Sequence, residues 1–429
     1  MENWKKDTEG LLQFIQKSPS TYHVIENLRE SLEQAGFVLL KEQDAWELRP
    51  GMGYMVIRNE SSLLAFRLPE GEMKGFHIVA AHSDSPTFKI KEEAEIIAED
   101  SYVKLNVEKY GGMILSTWLD RPLSVAGRIA VKGGQGGVVT RLVDIDQDLL
   151  VIPNLAIHME RDMNRGVEYN PQTDMSPLMA LKTEEYGKGS LTAVAAEAAG
   201  VHQKDILGYD LFLYVREPGR ILGADGEFIL SPKLDDLQCV YAALQAFRKS
   251  RPEKYGNVLA VFDNEEVGSG TAQGADSTFL EDVLYRIGES MGKSRGDYLR
   301  WIAESFLVSA DNAHGVHPNH PEKADPTNRP RLNGGVVIKY HGSRKYTTDA
   351  VSAARMKLLC ERAGVPFQTY ANRSDIAGGT TLGNISNAHV SLSSVDIGLA
   401  QLAMHSSVET AGSRDTAYAR LALEAFYGE

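Results

Sequence analysis

The stretch Asn257-Val-Leu-Ala-Val-Phe-Asp-Asn-Glu-Glu-Val-Gly-Ser269 constrains the fold more than any other part of the chain. An apolar run long enough for a buried strand ends in two adjacent glutamates, Glu265 and Glu266, and then a glycine turn. Carboxylates at the tip of a buried strand are costly unless a cation, usually a metal, neutralises them. Adjacent side chains in an extended stretch point opposite ways, so one glutamate can hold a metal while the other faces a substrate. A metal-dependent hydrolase needs that division.

Other apolar runs repeat the format. Tyr54–Arg58, Ser62–Arg67, Gly75–His82, Val258–Phe262, Phe306–Ala310, Gly335–Tyr340 and Val390–Val395 read as strands. Helical patterns separate most of the later ones, Leu237, Val240, Tyr241, Leu244 and Phe247 being the clearest. Residues 8–36 read as two helices broken at Ser18-Pro-Ser-Thr21. The expected fold class is α/β, a central mixed sheet flanked by helices. Between residues 95 and 221 the texture changes to short β-like pieces: Val103–Glu108, Arg128–Val131, Gly137–Leu142 and Leu211–Val215. One helix is expected there, at Ser190–Ala199, and Gly133–Gly137 reads as a hairpin connection. The 429 residues are too many for one simple core. An α/β domain over 1–94 and 222–429, with a β-rich insert over 95–221, is the expected organisation.

With a net charge of −13 and no basic stripe, nucleic acid is not expected as a partner. No apolar stretch spans a bilayer, and the polar N-terminus lacks the pattern of a signal peptide, so a cytoplasmic location is expected. Cys239 and Cys360 sit in helical apolar patterns, as buried free thiols would.

Five metal-capable residues follow strand-like runs or begin helices: His82, Asp235, Glu266, Asp311 and His405. In open α/β sheets ligands bind beyond the carboxyl ends of the strands, which brings distant residues to one rim. Two divalent cations carry four positive charges; Asp235, Glu266, Asp311 and a bridging hydroxide balance them. Imidazole with carboxylate suits zinc, and cobalt or manganese on ligand type. Asp84 lies two residues after His82, placed to hold its imidazole. Taken singly each residue has a plainer reading. A strand-end histidine is more often a surface group, and Asp235-Asp236 is more often a helix N-cap. His317 and His320, flanking Pro318, read as loop residues. The set outweighs its members.

These motifs make the chain resemble the aspartyl aminopeptidase family of dinuclear zinc exopeptidases. The resemblance runs through Ala81-His-Ser-Asp-Ser-Pro86, Tyr110–Arg121, Ile152-Pro-Asn-Leu-Ala-Ile-His158, Leu234-Asp-Asp-Leu237, Asp263–Ser269, Ser309–Asn319 and Met404-His-Ser406. It implies that His82 and Asp311 hold one zinc, Glu266 and His405 a second, and that Asp235 bridges them. Glu265 would be the general base and then the general acid in removing an N-terminal residue, with acidic residues preferred. The resemblance also implies a dimer-forming insert, whose His158 reaches a neighbouring subunit's site, and a tetrahedral dodecamer. His314, Lys339 and Tyr346 match substrate-contacting positions, and a cis peptide after Asp235 is expected. Departures at Asp236 and Asn154 are expected to touch no ligand. A neutral aminopeptidase or an N-acyl amino acid deacylase of the same architecture is the competing reading. More remote is a non-catalytic, self-assembling scaffold.

Overall fold

A computed structural model describes residues 4–429. Its main layer is a nine-stranded mixed sheet. In spatial order the strands are Val38–Leu40, Gly53–Arg58, Ser62–Arg67, Tyr255–Phe262, Gly75–His82, Phe306–Ala310, Ser393–Gly398, Val336–Tyr340 and Phe367–Ala371. The four strands from Tyr255–Phe262 to Ser393–Gly398 are mutually parallel. Parallel strands covered on both faces must be apolar throughout, and Gly75–His82 is buried at every position.

Alternation divides those strands between two cores. Val79, Ala81, Leu259, Val261 and Val308 face helices Trp4–Gln16, Thr21–Gln34, Leu234–Lys249, Ala350–Ala363 and Asp415–Tyr427. Ile78, Ala80, Val258, Ala260 and Leu307 face helices Phe279–Ser290 and Arg295–Glu304. The strand expected at Val390–Val395 begins instead at Ser393. Val390 packs with Leu382 in the second core, at the end of a helical turn, and Ser391 is exposed.

A six-stranded antiparallel sheet forms a second unit with its own core. Its strands run in the order Val138–Asp144, Leu123–Lys132, Ile206–Val215, Thr87–Ala98, Tyr102–Tyr110 and Leu178–Leu181. The glycine-rich 133–137 segment joins a hairpin in which Lys132 pairs with Val138. Both expected boundaries of the insert need correction. Residue 95 falls inside strand Thr87–Ala98, whose early half already pairs with Tyr102–Tyr110. Residue 222 ends strand Arg220–Leu222, which belongs to a third, five-stranded sheet. That sheet also holds Phe228–Ser231, Ala313–His314, Ala400–Leu402 and Glu409–Gly412.

His77, fully buried, shows how tightly one face is packed. Its ring stacks on Tyr255 at 4.0 Å and on Phe426 at 4.6 Å between centroids. Arg355 Nη2 lies 3.0 Å from His77 Nε2. A guanidinium only donates, so that nitrogen accepts and the ring is neutral. Burial, then the Arg355 charge, lowers the pKa from 6.5 to about 3. Between those values the unfolded chain binds the extra proton, so stability falls as pH drops below 6.5. Urea unfolding at pH 7.5 and 5.5 checks this. His77→Phe is expected to lose less stability across that interval than the parent, by on the order of 1 kcal/mol. Equal losses would remove His77 as the cause.

Candidate metal centre

The main sheet's register brings the motifs together. His82 pairs with Phe262 at the carboxyl ends of neighbouring strands. The adjacent strand ends at Ala310, so Glu265, Glu266 and Asp311 leave the sheet beside His82. Asp235 enters from the opening of helix Leu234–Lys249, where its φ of −83° and ψ of 108° are not helical. The Asp235–Asp236 peptide is cis, as expected. His405 sits at φ +65° between strands Ala400–Leu402 and Glu409–Gly412.

Ligand-capable atoms of three groups converge: His82, Asp235, Asp236 and Asp311; His82, Glu265 and Glu266; Asp235, Glu266 and His405. Asp235 belongs to two of them and is 3% exposed. Its Oδ1 lies 3.4 Å from His82 Nε2, and its Oδ2 lies 3.7 Å from His405 Nε2. His405 Nε2 is also 3.4 Å from Glu266 Oε1. These separations exceed ordinary hydrogen bonds, and Asp235 Oδ1 has no hydrogen-bond partner.

Both histidines have fixed tautomers. His82 Nδ1 faces the Asp84 carbonyl at 3.1 Å, and His405 Nδ1 faces the Gly112 carbonyl at 2.7 Å. A carbonyl only accepts, so each Nδ1 donates and each Nε2 faces the cluster, where it can ligate a metal in its neutral form. Asp84 does more than hold His82. Its Oδ1 accepts the Glu265 N–H and its Oδ2 the Glu266 N–H, both at 3.2 Å. Tyr110, from the six-stranded sheet, donates its hydroxyl to Asp84 at 2.8 Å.

Burial raises the pKa of Glu265 from 4.5 to about 8 and pushes Glu266, Asp311 and Asp236 up as well. Other carboxylates nearby add to each rise. Protein cations alone therefore leave this cluster short of positive charge. Open imidazole nitrogens, a bare carboxylate oxygen and unmet negative charge form a donor set that fits zinc.

The outer residues are placed unequally. Lys339 is 2% exposed and lies 5.4 Å above the Tyr346 ring. Its ammonium lies 3.2 Å from Asp311 Oδ2. Burial opposes its charge, yet Asp311, Tyr346, Asp396 and Asp235 together outweigh that and hold its pKa above the ordinary lysine value. His314 lines a cavity of about 330 Å³ with Tyr370 and Gln401. His158 is exposed in the irregular segment before Glu160 and joins none of the three groups.

Asp236 corrects an expectation, since its Oδ2 accepts the backbone N–H of His82 at 3.2 Å. Asn312 and Glu409 carried no signal in the sequence. Asn312 Nδ2 donates to the Leu234 carbonyl at 2.9 Å, beside Asp235. Only the folded chain shows what Glu409 contacts.

Residues 14–427 match the family described as Aminopeptidase I zinc metalloprotease (M18). The chain is 47% identical to the probable M18 family aminopeptidase 2 of Clostridium novyi, over 100% of both chains. It is 39% identical to the protein of that name from Pseudomonas savastanoi, over 97% of both. Among solved structures, the Ape4 and Nbr1 complex superposes with a TM-score of 0.96 at 36% identity, covering 99% of this chain and 86% of that one. The S. cerevisiae mApe1 dodecamer gives 0.86 at 27% identity, covering 99% and 97%. Family, fold and donor set converge: the chain belongs to the M18 family and is a zinc metalloaminopeptidase.

Proposed function

We propose that the enzyme removes acidic N-terminal residues from peptides, using two zinc ions per chain. The carrying observation is that the two oxygens of Asp235 face two different histidines, His82 and His405. In this reading His82 and Asp311 would hold one ion, Glu266 and His405 the other, and Asp235 would serve both. Bound zinc supplies Lewis acidity, polarising a peptide carbonyl and letting water lose a proton near neutral pH.

The chain's own residues do the rest. Glu265 takes the proton from water and delivers it to the leaving amine. Asp84 fixes the backbone of Glu265 and Glu266 through both N–H groups. Asp311, once its charge is committed to metal, leaves the Lys339 ammonium beside it to attract an acidic substrate side chain. Tyr346, under that ammonium, and His314, on the cavity wall, shape the pocket.

His158 completes the site of a neighbouring copy, donating to the developing oxyanion. Its own segment exposes Leu155, Ile157 and Met159, an apolar tip suited to burial against another chain. The six-stranded unit is then the dimer-forming domain, and dimers assemble into a tetrahedral dodecamer; the S. cerevisiae relative is named as a dodecamer. Two buried free cysteines agree with a reducing cytoplasm.

A panel of aminoacyl reporters with zinc, cobalt and manganese tests the activity, with aspartyl and glutamyl substrates expected to lead. Preferential turnover of leucyl or acyl substrates would overturn the acidic preference. Glu265→Gln is expected to keep two zinc ions per chain by elemental analysis while losing turnover about 10²–10⁴-fold. Retained turnover would remove Glu265 as the proton carrier. Lys339→Ala is expected to lower kcat/KM for aspartyl substrates about tenfold or more beyond its effect on leucyl ones. Parallel losses would assign Lys339 to Asp311 alone.

A further inference from the structure

Glu409 opens strand Glu409–Gly412 and is 2% exposed. It belongs to none of the three converging groups. Its two oxygens are nonetheless committed to two residues that do. Oε2 accepts the backbone N–H of Asp235 at 3.0 Å, and Oε1 accepts that of His405 at 2.8 Å.

Neither of those backbones is held by regular structure. Asp235 lies in the non-helical bend that opens Leu234–Lys249, and His405 lies at φ +65° in a connection between strands. They are far apart in sequence, and one carboxylate spans both. Its fixed width sets the spacing between the two N–H groups. A neighbouring network stiffens the arrangement. Gln401 Nε2 approaches Glu409 Oε1 at 3.4 Å, and Gln401 Oε1 accepts from Asn312, which also holds the Leu234 carbonyl.

We infer that Glu409 is a positioning residue that sets the spacing of Asp235 and His405, so that zinc affinity depends on a side chain outside the donor set. This rests on the reading of Asp235 and His405 as zinc ligands. The chemistry requires a carboxylate. Glutamine has one acceptor oxygen, and its NH₂ would meet the second backbone N–H donor to donor. Glu409→Gln therefore cuts one arm while preserving size.

The test strips the purified full-length enzyme with a chelator and titrates it with zinc against a chromophoric chelator. Glu409→Gln is expected to bind zinc about 10–100-fold more weakly. Excess zinc is expected to restore its turnover, which it would not do for a merely structural defect. Unchanged zinc affinity, or lost turnover that zinc does not restore, overturns the inference. Wild-type enzyme that takes up no zinc defeats the ligand reading itself, and this inference with it. Hydrogen exchange on stripped wild-type protein decides the matter if the variant does not fold. The Asp235 and His405 amides are expected to exchange slowly, and exchange at the rate of open loop amides overturns the role.

Discussion

The structure depends on how it handles negative charge placed out of water. Asp235, Asp236, Glu265, Glu266 and Asp311 crowd the carboxyl rim of the main sheet. Among the described residues Lys339 supplies the ammonium that touches them, at Asp311. Burial disfavours the charged form of each carboxylate, and like charges at such distances add to it where the effective dielectric is low, so the carboxyl pKa values rise. Zinc, which this family uses, supplies what the protein cations lack. Precise support from the scaffold is the corollary, because a loosely held donor would relax toward solvent.

That support comes from two sources. One is the sheet, whose parallel strands end in step because both faces are packed against helices and their register cannot slip. The other is backbone hydrogen bonding by buried carboxylates. Asp84 gathers the N–H groups of Glu265 and Glu266, and Glu409 those of Asp235 and His405. Acidic side chains thus serve as clamps on the backbone as well as donors in the cluster.

Much of this was legible in the sequence, for a physical reason. A buried strand is apolar to its last residue, so a histidine or glutamate at its end stands out, as at His82 and Glu265-Glu266. Contacts made by a side chain to a distant backbone leave no such mark. The backbone contacts of Glu409 and Asp236 are therefore visible only in the folded chain. The pairing of Lys339 with Asp311 was hidden for the same reason, since it depends on which strands are neighbours. Strand Thr87–Ala98 misled the boundary at 95, because its residues serve the second sheet although they follow His82 closely. The start at Ser393 was missed because Val390 is apolar on behalf of the opposite core.

The segment from Tyr110 to Thr117 joins the six-stranded sheet to the cluster more closely than chain order suggests. Tyr110 holds Asp84, and the Gly112 carbonyl holds the His405 ring. The Ile114 N–H holds the His405 carbonyl, and Thr117 holds Ser407. The placement of the His405 imidazole is thus tied to the second sheet by the hydrogen bond from its Nδ1 to Gly112. Excising the insert and closing the gap would remove the carbonyl that fixes the His405 Nδ1 proton. What looks in the sequence like a detachable cassette is therefore one jaw of the vice that grips the centre.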